Sequence, residues 1–316
     1  MPFSHSYFLS RTPLSIVCIL MVLSCSESPP YHHYDARPPG LTSKVFAPEL
    51  FVGDSAYVGY NTFDPLNPEL YYAITTQVWN SSRIVRRDEN GQKDSLDLGI
   101  NEFWEGEPVF TPDGQKLYFT AVVRDDQLHA DLFFVERTDS GWSEPGEFEL
   151  NTPASEWHIS FTEDQTAYFG SEIDGSTLHA DLFYSTFENG TYERAIKLPS
   201  PVNTEFNDCD PLIAPDESYL IFHSDRPGGF GDHDLYITFR QGVNEWSTPV
   251  NMGDQINTGG WEMGPSLSPD GKFLFFTRRE AWDTTEPSRI YWVSTGIIDR
   301  IKERTLSHQK QRQSGL

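Results

Sequence analysis

Acidic and imidazole side chains recur at one fixed place along this chain. Glu105 and Glu107, Glu156 and His158, and Asp208 and Asp210 stand as i, i+2 pairs. Glu262 precedes Gly264 in the same way, and a shorter copy offers Thr62 and Asp64. Residues two apart on a strand point to one side, so each copy aims one or two such groups in one direction. Three kinds of chemistry could follow. A water-filled channel lined by these groups is simply polar, its carboxylates satisfied by amides and water. Carboxylate oxygens with an imidazole could instead hold a hard divalent cation such as calcium or manganese. Two carboxylates with separated protonation states could act as acid and base, or nucleophile, on a glycosidic bond. Trp157 and Trp261 stand beside these groups. They could stack on a sugar or anchor a partner, or merely fill space between sheets.

The elements that must position these residues are visible as a repeat. EPVFTPDGQKLYFT from Glu107, HISFTEDQTAYFG from His158, DPLIAPDESYLIFH from Asp210 and GPSLSPDGKFLFFT from Gly264 are variants of one sequence. A worn copy, DPLNPELYYAIT, starts at Asp64, and the starts are 43, 51, 52 and 54 residues apart. Repeats of about 40 to 50 residues built of short strands indicate a β-propeller. Each repeat reads as strands A to D. A Pro-Asp-Gly turn follows A, an alternating Leu/Tyr/Phe run forms B, Asp-Leu-Phe-like runs form C, and D starts on an aromatic. The last repeat stops after C. Val45 to Leu50 matches strand D at Trp246 to Asn251, so an N-terminal strand is expected to close the last blade and remove both sheet edges. The expectation is one all-β propeller of five four-stranded blades, with six as the alternative. Strand A would line the central channel, its start facing the mouth and the Pro-Asp-Gly turns lying on the opposite face. Asp113, Asp164, Asp216 and Asp270 then read as turn residues. His129 and His179, each in Leu-His-Ala-Asp-Leu-Phe, read as a repeated structural feature or, less simply, as metal donors.

The chain has 316 residues and a formal charge of −24. Such a chain repels nucleic acid and anionic lipid; cations, sugars or a basic protein patch suit it better. Leu14 to Leu23 is a ten-residue apolar run, too short to span a bilayer and of signal-peptide length. Val22-Leu23-Ser24-Cys25 follows the pattern of a bacterial lipoprotein signal, with Cys25 as the lipidated residue. The expected division is a signal at 1–24, a proline-rich tether at 25–44, the propeller at 45–297, and a short helix with a disordered tail at 298–316. Of three cysteines, only Cys209 lies beyond the signal and the lipid site, so no intrachain disulfide framework is expected.

Ser268-Pro269-Asp270-Gly271-Lys272 and Thr111-Pro112-Asp113-Gly114-Gln115, followed by strands such as Asp234-Leu235-Tyr236, resemble the WD-like propeller repeat of TolB and its relatives. The likeness covers about Val45 to Ile297. It departs at Glu163-Asp164-Gln165 and Pro215-Asp216-Glu217, where the turn glycine is lost, and in the short first repeat. The resemblance implies an exported periplasmic or outer-membrane propeller used for binding. It implies no single activity, since propellers host unrelated functions. The leading expectation is a lipid-anchored binding or scaffold module for a protein or oligosaccharide, with no nucleic-acid partner and no membrane contact beyond the lipid. The alternative is a carbohydrate-active hydrolase or lyase using mouth carboxylates, with or without a divalent metal. The sequence has no P-loop, Gly-x-Ser-x-Gly, His-Glu-x-x-His or dinucleotide fingerprint.

Overall fold

A computed structural model describes Met1 and residues 31, 34, 35, 37–51, 57–76, 81–100, 104–123, 129–172, 179–281 and 286–313. The expected signal run and Cys25 lie outside the described residues. The described residues are all-β apart from a C-terminal helix and a 3-10 turn at Pro48–Phe51.

The first strand, β1 (Lys44–Val45), stands apart from the sheet that follows it in sequence. The first sheet comprises β2 (Tyr57–Phe63), β3 (Leu70–Thr75), β4 (Ser82–Arg87) and β5 (Lys93–Ser95). The second comprises β6 (Trp104–Phe110), β7 (Lys116–Val123), β8 (His129–Thr138), a short β9 (Gly141–Trp142) on β8, and β10 (Gly146–Glu147). The third comprises β11 (Glu156–Phe161), β12 (Ala167–Ser171), β13 (Asp181–Ser185), the hairpin β14 (Phe187–Glu188) and β15 (Thr191–Tyr192), and β16 (Ile196–Lys197). The fourth comprises β17 (Asp208–Ile213), β18 (Tyr219–Ser224), β19 (Asp234–Gly242), β20 (Glu245–Trp246) and β21 (Val250–Asn251). The last comprises β22 (Trp261–Leu267), β23 (Phe273–Arg279) and β24 (Arg289–Ser294). Its fourth strand is β1, antiparallel to β24 through Lys44↔Trp292 and Val45↔Tyr291. A single parallel bridge, Ser82↔Trp104, joins the first two sheets.

The sheets pack face to face, which explains why their strands are apolar on both sides. Along β7, Leu117 and Phe119 enter one cluster with Tyr71 and Ile84 of the first sheet. Tyr118, between them, points the other way and joins Ile159, Phe161 and Phe169 of the third. The same division repeats between the third and fourth sheets and between the fourth and last. Phe275 and Trp292 of the last sheet share a core with Val58 and Tyr72 of the first. The innermost strands β2, β6, β11, β17 and β22 lie in succession, and β22 lies against β2. The arrangement is propeller-like.

Both ends of the chain depart from expectation. The segment read as a tether is docked at two aromatics. Tyr31 is 1% exposed, packs edge-on against Phe273 at 5.0 Å and donates to Asp270 at 2.9 Å. Tyr34 donates to the carbonyl of Arg87 at 2.9 Å. Proline content argued for a tether, but two tyrosines carry enough apolar area to bind the sheet edge. At the other end, α1 (Gly296–Gln313) is longer than the short helix expected. Ile297, Ile298 and Ile301 anchor its first turns on Leu274 and Val293. Among the described residues no helix is long and apolar enough to cross a membrane.

Candidate functional site

Each innermost strand carries one β-bulge near its start. The register slips between Gly59 and Thr62, Gly106 and Val109, Trp157 and Ile159, Cys209 and Leu212, and Met263 and Ser266. At the bulge sit Tyr60 (φ 50), Glu107 (φ 55), His158 (φ 33), Asp210 (φ 51) and Gly264 (φ 57). Four of the five are not glycine, although positive φ disfavours side chains. The fifth could not be otherwise, because a Cβ on Gly264 would stand 2.5 Å from the Tyr60 ring.

These bulges bring Glu107, His158 and Asp210 together. Glu107 Oε2 accepts the Thr120 hydroxyl at 2.6 Å and the backbone N–H of His158 at 2.8 Å. Asp210 Oδ2 accepts the N–H of Gly264 at 2.9 Å, and His223 Nδ1 stands 3.1 Å from the same oxygen. The Tyr60 ring lies 6.0 Å from that of His158. Burial, with the Asp210 charge adding, pushes Glu107 up to about 8. Burial would raise Asp210 too, but the facing His223, with His158 and the Gly264 N–H, holds it well below the usual carboxylate range. The surroundings therefore push the two carboxyls in opposite directions, Glu107 toward its neutral form and Asp210 toward its charged one. Burial, and then the Asp210 and Glu107 charges, push the Cys209 thiol well above its usual value, which argues against a thiolate nucleophile. Burial lowers His158.

The other expected acids do different work. Glu156 accepts the N–H and hydroxyl of Thr152 at 3.0 and 2.7 Å. Asp208 does the same for Thr204 at 2.8 and 2.7 Å, and Glu262 for Thr258 at 3.1 and 2.7 Å. Arg226 pairs with Asp208, and Arg278 with Glu262. One residue before each threonine, Asn151, Asn203 or Asn257 brackets the N–H and carbonyl of a leucine in the third strand of the preceding sheet. Asn-Thr-x-x-x-[Asp/Glu] is thus a loop staple, visible in the sequence three times and missed there. Glu105 is buried, and burial with the nearby Asp97 raises it to about 7.

Asp64 is not part of this group. The first repeat aligns four residues earlier than its sequence suggests, so Val58 and Tyr60 occupy the positions assigned to Thr62 and Asp64. Asp64 sits at the far end of β2, where Arg137 donates to it at 2.8 Å and the N–H of Leu66 at 2.8 Å. The repeated turn aspartates behave as expected: Asp113 accepts from Thr111 at 2.6 Å and Asp270 from Ser268 at 2.8 Å. His129 lies 3.1 Å from Asp131, and His179 is exposed.

Trp157 and Trp261 are half-buried at the start of their strands. Trp157 donates to Glu172 at 3.3 Å and meets the buried Trp104 edge-on at 6.4 Å. Trp261 lies 4.4 Å from the His233 ring, whose pKa burial and His223 depress to about 4. A cavity of about 350 Å3 lies at the opposite end, lined by Thr62, Ser160, Ser266 and the turn prolines Pro112, Pro215 and Pro269, with His158 at its inner limit. It is on the Pro-Asp-Gly side, where no site was expected.

No protein-family model and no curated protein matches the sequence. Among solved structures, a putative TolB from Agrobacterium tumefaciens is similar at a TM-score of 0.50 and 14% identity, over 76% of this chain and 77% of that one. TolB from Acinetobacter baumannii aligns at 0.45 and 15% identity, over 76% of this chain and 54% of its own, so this chain spans about half its length. An alpha-L-arabinofuranosidase from Lactobacillus brevis aligns at 0.46 and 13% identity, over 75% of this chain and 89% of that one. At this identity the likeness to the first of these is one of fold, that of a TolB-like protein.

Proposed function

We propose that this chain is an exported, lipid-anchored propeller of five blades, closed by β1, that binds an oligosaccharide or protein ligand where the innermost strands begin. The observation that carries this reading is the division of labour at that end. Glu156, Asp208 and Glu262 are each held by a local threonine and, for the last two, an arginine. Glu107 and Asp210 are 3% and 2% exposed and tied to neighbouring strands. Trp157 and Trp261 remain half-open beside Glu172 and His233. Flat indole faces next to hydrogen-bonding groups suit a sugar ring or a protein anchor.

Titration calorimetry against a panel of envelope oligosaccharides and protein extracts tests the site. Trp157→Ala and Trp261→Ala should each weaken binding at least tenfold while leaving unfolding cooperative. Ligand binding unchanged in both variants would sink the proposed face. Export is tested by metabolic lipid labelling, which Cys25→Ala should abolish.

A second reading rests on the Glu107–Asp210 pair. Two carboxyls pushed in opposite directions by their surroundings match the pattern of a glycosidase acid and base. Activity on aryl glycosides that Asp210→Asn removes, without loss of folding, would favour it. The near-complete enclosure of both groups favours binding.

A further inference from the structure

The same bulge that buries Asp210 gathers a second kind of donor set. Cys209 and His223 are directly paired across β17 and β18, so their side chains share a face. A regular strand would send Asp210 to the other face. The bulge, with Asp210 at φ 51, turns it back. As a result the sulfur of Cys209, a carboxylate oxygen of Asp210 and a ring nitrogen of His223 all lie within 4.8 Å of one another.

Two further observations point to a ligand. His223, 9% exposed, approaches Asp210 at 3.1 Å through Nδ1, and its Nε2 has no hydrogen-bond partner. The Nδ1 of His158, a residue 4% exposed, has no partner either, and its ring is near enough to feel both Asp210 and His223. Buried imidazole nitrogens without partners are costly as they stand. A coordinated ion would take up a His223 nitrogen and balance the Asp210 charge.

We propose that Cys209, Asp210 and His223 bind one divalent transition-metal ion of the zinc class, the fourth position being left to water or another ligand. Sulfur and imidazole donors select such ions over calcium or magnesium, and tetrahedral sites of Cys, His and carboxylate are standard for zinc. The Gly264 N–H on Asp210 at 2.9 Å would orient the carboxylate from outside the coordination shell. The site is separate from the indole face and does not depend on what that face binds. It also differs from the hard-cation site expected from the carboxylates with an imidazole, because Cys209 was not counted among the donors.

The test uses the full chain after chelation and exchange into metal-free buffer. Zinc, cobalt(II), manganese and calcium chlorides are added singly. Zinc should bind at one equivalent and raise the melting temperature by about 5 °C at a hundredfold excess over its Kd. Cobalt(II) should give a thiolate-to-metal charge-transfer band. Cys209→Ser should lose the band, and His223→Gln should lower zinc affinity at least tenfold, with circular dichroism confirming that each variant is folded. If one variant fails to fold, the other carries the test, and the cobalt spectrum of the unaltered chain stands without either. Absence of stoichiometric zinc binding, a cobalt complex lacking the thiolate band, a response to calcium alone, or zinc binding unaltered in a folded variant would each overturn the proposal.

Discussion

The carboxylate of Glu107 accepts the backbone N–H of His158 at 2.8 Å, so an acid on one innermost strand is the hydrogen-bond partner of the bulge on the next. Asp210 and Gly264 repeat the relationship two sheets further round, between the fourth and last sheets, at 2.9 Å. The central carboxylates thereby latch sheets together.

Removing the first latch should be costly. Glu107→Ala leaves the N–H of His158 and the Thr120 hydroxyl without an acceptor and should destabilise by about 2 to 4 kcal/mol. Glu107→Gln keeps an acceptor oxygen and replaces a group that burial already raises to about 8, so it should cost less than about 1 kcal/mol. Denaturant unfolding at neutral pH separates the two; equal losses would show that charge, not the latch, is what matters.

Asp208 should be structural despite its place in the acidic series. It holds Thr204, Ser224 and Arg226 at once. Asp208→Ala should cost about 3 to 5 kcal/mol, because it leaves a half-buried guanidinium without its partner. Adding Arg226→Ala should recover part of that loss in a double-mutant cycle. A stabilised single variant would mean that repulsion among the carboxylates dominates.

Glu105 gives a pH dependence of definite sign. Its folded value is about 7 against an ordinary 4.5, from burial and then Asp97. The folded state therefore binds the proton more tightly, and its contribution to stability falls as pH rises from the ordinary value through the folded one. Glu105→Gln should flatten the stability profile in that window. An unaltered slope would assign the dependence elsewhere.

The β1 closure has a simple core test. Phe46 is 0% exposed and meets Phe275 and Trp292 edge-on at 5.1 and 5.2 Å. Phe46→Ala should lose about 3 to 5 kcal/mol, while Val243→Ala, at a site 90% exposed, should change stability by less than about 0.5 kcal/mol. If Phe46→Ala matched Val243→Ala in denaturant unfolding, β1 would contribute nothing to holding the last sheet against the first.

The sequence carried the repeat, and with it the sheets, because strand period and turn chemistry are local. Leu117-Tyr118-Phe119 and Pro269-Asp270-Gly271 announce themselves without tertiary information. An N-terminal strand on the last sheet was legible, but not its register: Val45, opposite Tyr291, takes the place of Asn251, opposite Tyr236, and not that of Trp246, and Pro48–Phe51 is a 3-10 turn. The bulges were not legible, since an extra residue in a strand is defined by its partner's register. Without them Asp64 was aligned with Glu107, and Cys209 was not counted among the groups gathered with Asp210. Tyr31 was hidden by the prolines around it, which signal an extended backbone but not what an aromatic among them will touch.

The contact between Tyr31 and Asp270 fixes where the N-terminal segment leaves the sheets, and Asp270 belongs to a turn on the cavity side. Only five residues of chain lie between Tyr31 and Cys25, a reach of at most about 20 Å. A lipid on Cys25 would then act as a short leash rather than a long one. The protein would rest with its proline-turn face toward the bilayer and present Trp157 and Trp261 outward. Orientation relative to the membrane would be set by one tyrosine hydroxyl and the brevity of the chain before it.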